Sequence, residues 1–356
     1  MADALPPGIK PTDGLAHYWA KPLSDLAKVD TAAVATDQAE RHRIYSLLTM
    51  ALVRAYWNGN KFGAEGDYPT RPSQKKRNGS YEGERIGDRA SERYIGHNIA
   101  CIAVDENGEI IDFEFNHNEL YNSSAEHAES RLIRRIFTLN QAYNHWQTLA
   151  EGDLADIAYS NVFNGVTIYT SLESCAQCSG VMTLASCLRV VYLQSDPGQY
   201  LVGNLLYNLS RPQPAPAFFS TAEALRPKPT AKYWAPEPLG ADLFGFEYKA
   251  QLDTAYSAFL KSGQDEPQAM FWVSPDGAKK KRPDSLTSFL CTDAARDIYG
   301  AAAEEFGSLV PTHKTFKPPR SDGEVEAVKS NEEALDHARA FLRHAVKEAR
   351  RGTPHR

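Results

Sequence analysis

Apolar residues recur at Ile44, Leu47, Leu48, Ala51, Leu52 and Ala55, and this 3.6-residue spacing predicts an amphipathic helix over about 36 to 56, closed by Trp57-Asn58-Gly59. Periodicity then vanishes. Between 59 and 93 Gly, Arg, Lys, Pro and Tyr dominate, which reads as a long loop or insertion. Order returns with Asn98 to Val104 and Glu109 to Phe115, two apolar runs flanking Asp105-Glu106-Asn107-Gly108, and the Asn-Gly turn makes them a hairpin. After a loop at 116 to 125, Leu132, Ile133, Ile136 and Phe137 repeat at helical spacing, so His127 and Glu129 fall in the first turn of a buried helix. Val166 to Thr170 reads as a third strand, Val181, Met182, Leu184, Ala185 and Leu188 as a second buried helix opened by Cys175 and Cys178, and Val190 to Leu193 as a fourth strand. Strand-helix-strand repeats imply parallel pairing with helices covering the sheet.

Beyond Ser210 the composition shifts. Arg211-Pro212-Gln213-Pro214-Ala215-Pro216 reads as a linker, and helical patterns follow at about 251 to 261, 284 to 306 and 331 to 350. The expected organisation is therefore an amino-terminal extension over 1–35, a compact α/β domain over 36–210 interrupted by the insertion at about 59–93, and a mainly helical extension over 211–356.

Length and composition narrow the class. With 356 residues, 42% of them apolar, the chain is globular with ample material for a core. It has no run of 18 apolar residues, and its first residues lack a basic region followed by an apolar stretch, so a soluble, cytoplasmic protein without membrane contact is expected. Five scattered cysteines (101, 175, 178, 187 and 291) do not make a disulfide framework; reduced thiols fit an intracellular setting, with Cys101 and Cys291 read as buried. A net charge of −6 gives no global pull on phosphate backbones, so a nucleic-acid partner needs local basic patches. Lys75-Lys76-Arg77 and Lys279-Lys280-Lys281-Arg282 are two such runs, both read as loops.

The candidate chemistry lies in His127-Ala128-Glu129 and, 48 positions after His127, Cys175-Ala176-Gln177-Cys178. Three borderline or soft ligands with no obvious fourth are the donor count of a catalytic zinc, which keeps one position open for water, rather than of a closed structural one. Thiols three apart at a helix start share a face and feel the positive end of the dipole, which favours the thiolates that zinc requires. Glu129, beside the ligand set, is then a base for the attacking water and an acid for a leaving amine. Alternatives stand beside this reading. His-Ala-Glu alone is an ordinary helix-surface pair, Cys-x-x-Cys alone is also a redox pair, and recruitment of Cys187 or His145 would close the metal site structurally.

The stretch from Thr170 to Met182, Leu188 to Tyr192 and Asp196-Pro197 resembles the cytidine deaminase superfamily, closest to its tRNA adenosine deaminase and guanine/deoxycytidylate deaminase branch, over about 90 to 210. His-x-Glu followed by Pro-Cys-x-x-Cys is a signature of the zinc deaminases. The resemblance implies a three-layer α/β/α sandwich with a mixed sheet, Zn²⁺ held by His127, Cys175 and Cys178, Glu129 as proton shuttle, Asn116 as a contact to the base or sugar, and a homodimer. Ser174 stands where the family usually has proline, a change that would loosen the turn presenting Cys175. The expected function is hydrolytic deamination of an amino-purine or amino-pyrimidine base. A base in nucleic acid (RNA or single-stranded DNA, adenosine in tRNA or related) is favoured by the basic runs and by Tyr68, Tyr81 and Tyr94; the acidic charge favours a free base, nucleoside or nucleotide. A zinc-stabilised interaction module is the reading from another class.

Overall fold

The computed structural model describes residues 5, 7–9, 14–19, 21–31, 33–57, 96–118, 121, 123–151, 162–211, 234–265, 271–273, 279–281, 285–313, 315–316 and 328–347, without the side chains of 141–151, 263–265, 271–273, 279–281 and 347. The expected insertion at 59–93, with Tyr68, Lys75-Lys76-Arg77 and Tyr81, lies outside them, as do Tyr94 and the segment 212–216. In chain order the elements are α1 (Gly14–Tyr18), α2 (Leu23–Leu26), α3 (Thr36–Ala55), β1 (Ala100–Val104), β2 (Ile110–Phe115), α4 (Ala128–Glu151), β3 (Thr167–Thr170), α5 (Ala176–Ala185), β4 (Arg189–Tyr192), α6 (Val202–Leu209), β5 (Glu237–Gly240), α7 (Glu247–Asp265), β6 (Phe271–Val273), β7 (Lys279–Lys281), α8 (Leu286–Phe289), α9 (Asp293–Ser308) and α10 (Asn331–Lys347).

Five strands form one mixed sheet in the order β2-β1-β3-β4-β5. β1 runs antiparallel to both β2 and β3, whereas β3, β4 and β5 are parallel. The β1–β2 hairpin turns where Asn107-Gly108 predicts it. Gly108 takes φ +87°, Asp105 Oδ1 accepts the N–H groups of Asn107 and Glu109, and the Tyr45 hydroxyl donates to the Gly108 carbonyl.

Strand alternation sorts the helices into layers, because neighbouring side chains on a strand point to opposite faces. On β3, Tyr169 faces α3, where its hydroxyl meets His42 and its ring packs 5.3 Å from that of Tyr45. Thr170, the next residue, faces α4 and bonds Glu129. On β2, Phe113 and Phe115 pack against Phe341 of α10 and Tyr56 at the end of α3, while Asp112 and Glu114 pair with Arg135 and Arg131 of α4. One layer is thus α3 with α10, the other α4, and the chain has the expected α/β sandwich with a mixed sheet.

Four expectations change. Every residue of α3 from Ile44 to Val53 is buried, so this is a central helix rather than an amphipathic one; α9 and α10 pack on it from the carboxy-terminal part of the chain. Lys279–Lys281 is not in a loop: it forms β7, paired antiparallel with β6 in the register Phe271 to Lys281 and Val273 to Lys279. Three like charges oppose strand formation locally, and pairing with the Phe-Trp-Val run outweighs that preference. The residues after 211 also supply β5, whose Glu237 pairs with Arg189 of β4 at 2.8 Å, both side chains buried. The helical pattern at 284 to 306 resolves into α8 and α9, broken where Thr292 accepts the Ala295 N–H as an N-cap.

Candidate metal and proton-transfer centre

The starts of α4 and α5 meet beyond the carboxyl ends of β3 and β4, where parallel strands leave a crevice that ligands commonly use. His127 directly precedes α4, and its carbonyl accepts the Arg131 N–H at 3.0 Å. Asn116, just past β2, accepts the Ala128 N–H at 2.8 Å and so caps the same helix. Cys175 is the N-cap of α5 and Cys178 lies in its first turn.

These elements bring three predicted ligands together. His127 Nδ1 lies 3.3 Å from Cys175 Sγ and 3.7 Å from Cys178 Sγ, and all three donor atoms fall within 4.8 Å of one another. Standard zinc bond lengths in a tetrahedral site put nitrogen and sulfur about 3.6 Å apart, so the spacing fits the ion. Among the described residues no fourth His, Cys, Asp or Glu joins the group. Cys187 lies past the far end of α5, about 15 Å along a ten-residue helix from Cys175; the His145 side chain lies outside the described residues.

The three donors perturb one another's protonation. The hydrogen bond from Cys178 draws the Cys175 thiol down, helped by His127, while the same bond and burial drive Cys178 up. His127 is raised by its hydrogen bond to Cys175. Two adjacent sulfurs sharing one proton carry a single negative charge, and a divalent ion bound there would take both as thiolates with release of that proton. Ser130 Oγ lies 3.4 Å from Cys178 Sγ and accepts from Gln177 Nε2 at 3.0 Å; Gln177 Nε2 also donates to the Ala125 carbonyl at 2.8 Å, which ties the ligand loop to α5.

Glu129 is 4% exposed and stays outside the donor cluster. Its Oε1 accepts from Thr170 Oγ1 at 3.0 Å and Ser174 Oγ at 3.1 Å. No described residue donates to Oε2. Both hydroxyls were missing from the residue set that spacing suggests. In the sequence Ser174 stands out only as a departure from proline, and Thr170 only as the end of a strand. A separate cavity lined by Arg41, His42, Tyr45, Thr167, Tyr169 and Arg189 sits at the opposite end of β3.

The profile of the cytidine and deoxycytidylate deaminase zinc-binding region matches residues 84–194, which contain His127, Glu129, Thr170, Ser174, Cys175 and Cys178. No curated protein sequence matches the chain. A solved structure from biochemical and structural studies of A-to-I editing by tRNA:A34 deaminases at the wobble position of transfer RNA is similar at 22% identity, covering 40% of this chain and 82% of that one, with a TM-score of 0.22. With the mixed five-stranded sheet and the His/Cys/Cys cluster at its carboxyl edge, the match over 84–194 shows that this part of the chain is similar to the cytidine and deoxycytidylate deaminase zinc-binding region.

Proposed function

We propose that this protein is a hydrolytic deaminase that replaces the exocyclic amino group of a purine or pyrimidine by oxygen. Water adds at the amino-bearing carbon, the carbon–nitrogen bond breaks, and the nitrogen leaves as ammonia while the ring keeps a keto group. The observation that carries this reading is a buried carboxylate, Glu129, fixed beside the metal-ligand cluster without being part of it. A purely structural metal site has no use for such a group.

Zinc held by His127, Cys175 and Cys178 would supply Lewis acidity, bringing the pKa of a water there down towards about 7. Glu129 then takes the proton of the attacking water, passes it to the ring nitrogen and helps protonate the departing amine, a role worth about 10² to 10⁴ in rate. Asn116 offers its amide nitrogen to the base or sugar, since its oxygen is committed to Ala128.

The substrate we propose is a base in nucleic acid, adenosine in tRNA or a related RNA or single-stranded DNA, in keeping with the two basic runs of the sequence. The net charge of −6 favours the second reading, a free base, nucleoside or nucleotide. We further propose a homodimer, which sedimentation tests directly.

The experiment is ammonia release from a panel of bases, nucleosides, nucleotides, tRNA and single-stranded DNA, with zinc analysis, for wild type and Glu129→Ala. Turnover of a polynucleotide that Glu129→Ala abolishes, with zinc retained, supports the proposal. Turnover of small molecules alone moves it to the second reading. Zinc without ammonia from any substrate means an interaction module.

A further inference from the structure

We infer that Ser174 is a positioning residue for Glu129: its hydroxyl, with that of Thr170, holds one carboxylate oxygen so that the other faces the reaction. The inference rests on the deaminase reading above.

The geometry is specific. Oε1 accepts two hydroxyl protons, from Thr170 at 3.0 Å and Ser174 at 3.1 Å, within hydrogen-bond range for each. The donors come from different elements, Thr170 from the end of β3 and Ser174 from the loop just before Cys175, and both are buried. A carboxylate tied at one oxygen by two such anchors has lost most of its freedom to rotate. Oε2, to which no described residue donates, remains for the proton of the attacking water. Oε1 is the anchor and Oε2 the carrier.

Proline at position 174 has no hydroxyl and would leave Thr170 as the single anchor. The same loop that presents Cys175 as a ligand therefore also aims Glu129. Its orientation is kept by the loop's own bonds, Glu173 N–H to the Gln194 carbonyl at 2.8 Å and Ser179 Oγ to the Ser174 carbonyl at 3.4 Å. Serine here is a second way to fix the acid beside the metal rather than a loss of order in the loop.

The test uses the zinc-loaded full chain and whichever panel substrate turns over. Removing one of two anchors should lower kcat about tenfold in Ser174→Ala, with KM and zinc content unchanged, as expected for a bond that orients a reacting group. Ser174→Pro should behave like Ser174→Ala, and Ser174→Thr, which keeps the hydroxyl, should restore kcat to within about threefold of wild type. Ser174→Ala combined with Thr170→Val should approach the deficit of Glu129→Ala, about 10² to 10⁴. In Glu129→Ala the substitution Ser174→Ala should change nothing further. A readout independent of turnover is the Glu129 carboxylate in crystals of metal-free Ser174→Ala, which should occupy more than one orientation where wild type shows one.

A kcat for Ser174→Ala equal to wild type, or a Ser174→Pro faster than wild type, overturns the inference while leaving the deaminase reading intact. A single unchanged Glu129 orientation in the Ser174→Ala crystals overturns it as well. If Glu129→Ala itself leaves turnover unaltered, the deaminase reading falls and the positioning role with it.

Discussion

The side-chain oxygen of Asn116 accepts the Ala128 N–H at 2.8 Å, so the residue that follows β2 closes the helix start that carries His127 and Glu129. A cap of this kind contributes about 1 kcal/mol, and here it also fixes the entry of the helix behind the candidate ligand His127. Asn116→Ala should lower the melting temperature and weaken zinc retention against a chelator. Asn116→Asp keeps the acceptor but loses the amide donor. It should keep stability and zinc while raising KM; an unchanged KM would restrict Asn116 to capping.

Removal of any one ligand should empty the site. In zinc analysis, His127→Ala, Cys175→Ser and Cys178→Ser are each expected to fall from one ion per chain towards none, and chelation of the wild type should abolish turnover until zinc is returned. Cys187→Ser, beyond the far end of α5, should keep its zinc. Retention of the full complement by Cys178→Ser would show that another donor holds the ion.

His42 should make stability fall in acid. Arg189 Nη1, which can only donate, lies 3.1 Å from His42 Nε2, so Nε2 accepts and Nδ1–H donates to the Tyr169 hydroxyl at 2.9 Å. Burial, with Arg189 and Arg41 nearby, holds the imidazole neutral far below its usual value of 6.5. Below pH 6.5 the unfolded chain takes up a proton at this residue that the folded chain refuses, so the folded state loses about 1.4 kcal/mol for each unit of further acidification until the folded group titrates. Urea denaturation between pH 8 and pH 5 should show this slope in wild type and a shallower one in His42→Gln. Equal slopes would remove His42 as the cause.

Arg189 and Glu237 test how far the residues after 211 belong to the sheet. They pair at 2.8 Å across β4 and β5, with burial of both. Glu237→Ala should leave the buried Arg189 guanidinium without its carboxylate and cost about 3 to 5 kcal/mol. A chain ended at 211 loses β5, α9 and α10 together and uncovers the outer side of α3, and it should be insoluble or unfolded by circular dichroism. A soluble, cooperatively melting fragment would instead establish 36–210 as an independent domain.

What the sequence determined by itself is local. The Asn107-Gly108 turn, the helix starts at Ala128 and Ala176 and the strand at Thr167–Thr170 follow from period, caps and turn chemistry, all of which act within a few residues. The candidate ligand set is legible because a tetrahedral ion restricts donor type and spacing, and Cys-x-x-Cys writes half of that restriction into four consecutive positions. Tertiary structure decided what depends on pairs far apart in the chain. Glu129 is anchored across 41 and 45 residues by Thr170 and Ser174, and neither hydroxyl carries a signal that distinguishes it from any other buried serine or threonine. Likewise β5 joins β4 across a sequence separation of 48, Arg189 to Glu237, and α3 looked amphipathic until α9 and α10 covered its second side. Periodicity reports that a face is apolar; which remote segment buries it is settled only when the chain closes on itself and the unpaired backbone edge and apolar surface find their partners.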